Sequence, residues 1–201
     1  AYRDMLVTTT GLSDYISGAI LFDETIRQKL LDGTPFPDFL SANGIIPGIK
    51  VDAGAKVLAG HADEKVTEGL DGLRDRLAEY YAMGARFSKW RAVITIGDNI
   101  PSMACLEANA HGLARYAMLS QDAGIVPIVE PEVLMDGSHS IVRCYEVTEL
   151  AQRMTFQQLK AQGVVLEGMV LKPSMVISGA DAGQRADVET VARETVRCLL
   201  N

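Results

Sequence analysis

Seven charged side chains carry the chemical signal in this sequence, and they fall into a repeated arrangement. Apolar runs end or are interrupted as Lys50-Val51-Asp52, Lys89-Trp90-Arg91, Glu130-Pro131-Glu132 and Lys172-Pro173. Three of the four hold two charged residues separated by one, and in a strand that spacing sends both to the same face. Taken singly, such charges are what solvated loop ends carry. Repeated at four strand ends, they gather four cations (Lys50, Lys89, Arg91, Lys172) against three carboxylates (Asp52, Glu130, Glu132). That composition suits an anionic substrate together with acid–base work.

Three of the seven lysines, Lys50, Lys89 and Lys172, sit in or directly after apolar strands, where burying an ammonium is expensive unless it is paired or functional. An ordinary lysine, with a pKa near 10.4, is almost wholly charged at neutral pH, but among other cations and apolar walls it can drop by as much as 3–5 units. Brought to about 7–8, the amine becomes a nucleophile able to form a Schiff base with a carbonyl. Neighbouring carboxylates can move the protons that dehydrate the carbinolamine. The remaining cations can hold phosphate, Arg91 as a planar fork and lysine as a point charge. Spacing alone leaves open whether Lys89 or Lys172 is the nucleophile.

The elements that must position these groups are short apolar strands alternating with longer helices. Strand-like runs cover Gly18 to Phe22, Ile45 to Val51, Phe87 to Ile96, Ile125 to Val129 and Gly168 to Leu171. They are continuous rather than alternating, as in strands buried on both faces. Helical spacing marks Thr67 to Met83 (Leu70, Leu73, Leu77, Tyr80), Ser102 to Ala123, Ser138 to Gln162 and Ala186 to Leu200, the first three closed by Gly84, Gly124 and Gly163. Strand, helix, strand in this rhythm implies βαβ units and a parallel sheet. A dinucleotide-type doubly wound sheet wants a glycine-rich turn after its first strand, and Phe22-Asp23-Glu24-Thr25 stands there instead. The expectation is therefore an α/β fold of the (β/α)8 TIM-barrel type, with about five of the eight βα units, forming one partial domain over residues 1–201. Trp90, between two members of the charged set, should face the strand–helix layer.

Composition bounds the rest. The chain has 201 residues, 48% hydrophobic and 22% charged, with 19 basic and 26 acidic side chains, a net charge of −7. An acidic surface disfavours a sequence-independent grip on nucleic acid. Three well-separated cysteines, Cys105, Cys144 and Cys198, suggest no disulfide framework and a reducing cytoplasm. No run approaches a membrane span, and no secretion signal opens the sequence. His61, His111 and His139 lack ligand spacing to each other or to cysteine, so they read as surface or packing residues and no metal is expected. GxxxxGK[ST] and GxSxG patterns are absent from the sequence.

The residues then resemble a known family. Ala19-Ile20-Leu21-Phe22-Asp23-Glu24-Thr25, Gly48-Ile49-Lys50-Val51-Asp52, Gly69 to Leu73, Phe87-Ser88-Lys89-Trp90-Arg91, Ile125 to Glu132 (IVPIVEPE) and Leu166 to Met175 (LEGMVLKPSM) are similar, in order, to the motifs of class I, Schiff-base fructose-bisphosphate aldolases. The resemblance implies an eight-stranded barrel and reversible cleavage of fructose 1,6-bisphosphate into dihydroxyacetone phosphate and glyceraldehyde 3-phosphate, without a metal or other cofactor. It implies that Lys172 is the Schiff-base lysine and Glu130 the acid–base residue, with Glu132 and Lys89 setting proton positions and charge. Lys50 and Arg91 match residues on the side of the second phosphate, and Asp52 reads as structural or ion-pairing. A homotetramer in the cytoplasm is implied as well.

The family's catalytic aspartate from an earlier strand, and its serine, glycine and arginine phosphate groups from later strands, have no counterparts here. The expectation is that one βα unit is missing before Ala1 and two after Asn201, leaving sheet edges that favour association. Rival readings are another Schiff-base barrel, such as a transaldolase or deoxyribose-phosphate aldolase, and a non-catalytic binding protein that keeps the inherited cluster.

Overall fold

The structure is a computed structural model and describes residues 2–201. After a short helix α1 (Tyr2–Val7) the chain runs β1 (Gly18–Leu21), α2 (Asp23–Ile26), α3 (Phe36–Ala42), β2 (Ile46–Lys50), β3 (Gly54–Leu58), β4 (His61–Glu68), α4 (Leu73–Ala82), β5 (Phe87–Ile94), α5 (Met103–Asp122), β6 (Val126–Val133), α6 (Ile141–Ala161), β7 (Val170–Leu171) and α7 (Val188–Leu199). Strands β1, β2, β5, β6 and β7 form one sheet in that order, every pair parallel. Each successive strand is laid beside the last, as in a barrel, whereas a doubly wound sheet reverses direction at a switch point. Among the described residues the sheet stays open, with β1 and β7 as its edges.

The two faces of this sheet differ. On the convex face Ile49, Val51, Trp90, Ala92 and Val129 are buried against Leu73, Leu77, Leu113 and Ala117 of the helices. Trp90 is 1% exposed and stacks on Tyr116 with ring centroids 5.5 Å apart, in the strand–helix layer as expected. On the concave face Ile20, Ile46, Val126 and Val170 are exposed apolar side chains. Its floor is the Phe87 ring, which lies against Gly48: a Cβ there would sit 2.3 Å from the ring. Only glycine leaves room for that ring.

The helices begin where the chain supplies caps. Ser102 accepts from Cys105 N at 3.2 Å, Ser140 from Arg143 N at 3.2 Å and Asp187 from Thr190 N at 2.7 Å, opening α5, α6 and α7. These three of the four expected helices are present within a few residues of their predicted ends.

One expectation is corrected. The helical reading of Thr67 to Met83 begins too early: Thr67 and Glu68 close β4, which pairs antiparallel with β3, and α4 starts only at Leu73. Gly69, at φ 128°, approaches Ala53 N so closely that a Cβ would stand 2.7 Å away, so the chain turns there rather than coiling. The hairpin β3–β4, absent from the sequence reading, packs on α5 and β5. Asn109 Nδ2 donates to Lys65 O (2.8 Å), Thr67 N donates to Asn109 Oδ1 (3.2 Å), and Thr67 Oγ1 donates to Arg91 O (2.7 Å). A smaller difference is that β6 runs through Glu130 and Glu132 to Val133, so both carboxylates lie within a strand rather than after one.

Candidate active site

The seven charged residues singled out from the sequence lie on the concave side of the sheet, Lys89, Arg91, Glu130 and Glu132 within β5 and β6, and Lys50, Asp52 and Lys172 at or just past the C-terminal ends of β2 and β7. Strand register explains the convergence. Lys50 pairs with Lys89, Arg91 with Glu130, and Leu171 with Val129, so Lys172 stands level with Glu130 on the next strand. Lys172 N donates to Val129 O at 2.9 Å and continues that pairing.

The centre is Glu130. Its side chain is 3% exposed and meets two ammonium groups, one on each oxygen. Lys172 Nζ donates a hydrogen bond to Oε1, and Lys89 Nζ lies 3.1 Å from Oε2. The Lys89 contact is a charge contact without hydrogen-bond alignment, which leaves Oε2 the unsatisfied oxygen of the carboxylate. Two cations on one buried carboxylate leave the trio with a net positive charge. Lys89 is mostly enclosed, while Lys172 is 56% exposed and opens to solvent.

Two further pairs flank this trio. Arg91 Nε donates to Glu132 Oε2, and that hydrogen bond raises the guanidinium pKa above its ordinary value against the opposing effect of burial. Coulombic attraction from Glu132, Glu130 and Asp52 adds to the rise, so Arg91 is a fixed cation. On β2 Lys50 Nζ donates to Asp52 Oδ1, which also accepts from Gly54 N at 3.0 Å. Asp52 Oδ2 accepts from Arg91 N at 3.4 Å. Asp52 is thus a buried tie between strand ends, as its structural reading required. Lys50 Nζ also lies 5.9 Å from the centre of the Phe22 ring.

Glu130, Glu132 and Lys172 line an open cleft of about 200 Å³ together with Ser174, Met175 and Ile177. Sequence reasoning missed Ser174, which lies in the LKPSM stretch and bonds to the backbone of β6. It also missed Thr67, which donates to Arg91 O of β5 from behind, and Asn109, which holds the backbone of β4 at Lys65 and Thr67. Their signal was a polar pair at inward positions of a hairpin and a helix, which periodicity does not isolate. Elsewhere, His111 faces Gln158 on the helix surface, His61 contacts Glu64 at 3.1 Å, and the three cysteines are free and buried.

The family model described as fructose-bisphosphate aldolase class-I matches residues 1–201. The chain belongs to the class I fructose-bisphosphate aldolase family. Within that family it is 65% identical over 199 residues to a probable class 1 aldolase of Xanthomonas axonopodis pv. citri, covering 99% of this chain and 60% of the relative. It is 51% identical to the cytosolic fructose-bisphosphate aldolase 4 of Arabidopsis thaliana, covering 99% of this chain and 51% of the relative. The solved structure of the aldolase from Plasmodium falciparum, in complex with TRAP and a small-molecule inhibitor, superposes with a TM-score of 0.96 at 47% identity, covering 99% of this chain and 58% of that one. The chain therefore spans about 60% or less of the length of these aldolases, and its open sheet is a partial TIM barrel. Among the described residues no helix is long and apolar enough to cross a membrane.

Proposed function

We propose that this chain carries the Schiff-base half of a fructose-bisphosphate aldolase, a carbon–carbon lyase that cleaves fructose 1,6-bisphosphate reversibly into dihydroxyacetone phosphate and glyceraldehyde 3-phosphate. The observation that carries the reading is the trio on adjacent strands: an exposed lysine bonded to a buried carboxylate that a second, enclosed lysine also contacts. Class I membership supports metal-independent chemistry, and Lys172 takes the place of a cofactor by forming a covalent bond with the substrate.

In this reading Glu130 accepts a proton from the Lys172 ammonium bonded to it, and the freed amine attacks the C2 ketone of the open-chain sugar, one amine proton passing to the oxygen to give the carbinolamine. The carbinolamine loses its hydroxyl as water, with a proton returned by Glu130, and an iminium forms. A base of the full-length protein accepts the C4 hydroxyl proton as the C3–C4 bond breaks. The bonding electron pair moves into the iminium to give an enamine, and the aldehyde departs. Protonation of the enamine at C3 and hydrolysis release the ketone and restore the amine. Lys89 holds the second oxygen of Glu130 and lowers the cost of its negative charge. Glu132 orients Arg91, and Arg91 with Lys50 supplies positive charge for the phosphate farther from Lys172.

Residues 1–201 act in this proposal as one partial barrel domain of a cytoplasmic homotetramer, whose substrate is a sugar phosphate and whose partners include neither nucleic acid nor membrane. Borohydride reduction of the full-length protein with dihydroxyacetone phosphate, followed by peptide mass analysis, should place the label on Lys172. Labelling on another lysine, or none, rejects the assignment.

A further inference from the structure

The strand that carries Glu130 is short of hydrogen bonds on one side. Backbone amides of a parallel strand alternate between its two neighbours. In β6 Val126 N donates to Arg86 O at 3.0 Å and Leu134 N to Ile94 O at 2.9 Å, so even-numbered amides face β5 and odd-numbered ones face β7. Two of the odd positions are Pro127 and Pro131, which have no N–H to give.

The consequence falls on the reactive lysine. Lys172 N bonds Val129 O at 2.9 Å, and the reciprocal bond to the Lys172 carbonyl would come from position 131, a proline. β7 has only two paired residues, and the ladder to β6 loses its next donor at Pro131. The next amide of β6 on that side, Val133 N, instead donates to Ser174 Oγ at 3.0 Å. A side-chain hydroxyl stands where a backbone carbonyl would.

We propose that Ser174 is a positioning residue, whose hydroxyl replaces the ladder interrupted by Pro131 and thereby fixes Lys172 in height and rotation against Glu130. This inference rests on the reading of Lys172 as the Schiff-base lysine. Val129 O and Val133 N grip the segment at residues 172 and 174, on either side of Pro173. Without the second grip, the exposed Lys172 side chain hangs from a two-residue strand by one backbone bond, and its contact with Glu130 Oε1 loosens. Near-attack geometry is sensitive to displacements on this scale, since a misplacement of about 1 Å can cost about 10²-fold in rate.

The test compares wild type, Ser174→Ala and Ser174→Thr in the full-length protein. Steady-state kinetics, the rate of borohydride trapping with dihydroxyacetone phosphate across pH, and hydrogen exchange at the Val133 amide are measured on each. Ser174→Ala should lower kcat and the trapping rate by about 10- to 10²-fold with a smaller change in KM, because the phosphate-side cations are untouched. Its trapping rate should show a displaced pH profile, and Val133 should exchange faster. Ser174→Thr keeps the hydroxyl and should restore most of all three. Wild-type kcat, trapping and pH profile in Ser174→Ala would overturn the positioning role while the Lys172 assignment stands. Equal losses in both variants, accompanied by a common fall in thermal midpoint, would overturn it as well. Wild-type trapping at a lysine other than Lys172 would remove the assignment, and this proposal with it.

Discussion

Lys89 Nζ lies 3.1 Å from Glu130 Oε2, on the carboxylate oxygen that Lys172 does not use. Each oxygen of one buried carboxylate therefore has its own ammonium. The two lysines arrive from strands on opposite sides of β6, so the carboxylate is held from both flanks and cannot turn toward one without leaving the other. Charge balance at the centre depends on both.

From that arrangement a division of labour is expected. Glu130→Gln keeps the shape and removes the proton acceptor, and should lower kcat by about 10²–10⁴-fold with KM little changed. Lys89→Met leaves Glu130 with Lys172 alone. It should lower stability by about 1–3 kcal/mol and slow turnover, since one contact to a buried charge is lost while the other remains. Steady-state kinetics with urea titrations on the same preparations read both effects, and a Lys89→Met protein of wild-type activity would contradict them.

Asp52 and Lys50 should separate into structure and substrate handling. Asp52→Ala removes the acceptor for Lys50 Nζ, Gly54 N and Arg91 N together, with an expected cost of about 1–3 kcal/mol. Lys50→Met leaves the two backbone donors on Asp52 satisfied. It should cost less stability than Asp52→Ala and raise KM for the bisphosphate more than for a monophosphate sugar. Denaturation midpoints and a two-substrate comparison distinguish the pair.

Gly48 should tolerate no side chain while Phe87 remains. Gly48→Ala pushes a methyl against the ring at 2.3 Å and should cost about 1–3 kcal/mol through overpacking. Trimming the ring in the double variant Gly48→Ala/Phe87→Leu should recover part of the loss. A fully additive double variant would show that the two positions do not meet.

The buried Glu64 predicts an acid-sensitive hairpin. Burial, the largest influence on it, pushes its carboxyl pKa up. Hydrogen bonds from Ser102 outweigh that, with help from Cys105 and His61, and hold it below the ordinary 4.5. A group whose pKa is lower in the folded chain contributes stability that is present above its unfolded value and lost as pH falls through the folded one. Ser102 N donates to Glu64 Oε1 at 2.6 Å, at the start of α5. Glu64→Gln should therefore cost about 1–2 kcal/mol at pH 7, and its difference from wild type should shrink once pH drops below about 4.5. Chemical denaturation across pH checks this, and a difference independent of pH would contradict it.

The legible and hidden parts of the molecule divide along physical lines. Ile49, Trp90 and Val129 belong to continuous apolar runs, and such runs announce themselves, as do the helices that Gly84, Gly124 and Gly163 close. The charged set was readable because a carboxylate or ammonium inside such a run is costly. The hairpin was not, because its inward positions are Glu64 and Thr67, which are buried by hydrogen bonds rather than by hydrocarbon. Leu70 and Leu73 then continued the helical spacing of α4 backward across Gly69. Ser174 was hidden for another reason: its importance comes from Pro131 on a neighbouring strand, which pairing register alone brings beside it.

The Phe87 ring gives the concave face a direction. It fills the space two residues below Lys89, so the strands offer hydrocarbon at one end and all their charge at the other. A molecule with phosphates at both ends cannot stand upright in such a cup, because its lower terminus would lose water and meet only carbon. Under the proposed function the substrate reclines across the rim, spanning from β2 to β7. The length of its sugar chain would then be gauged by the number of strands between its two anchoring cations, and not by the depth of the barrel.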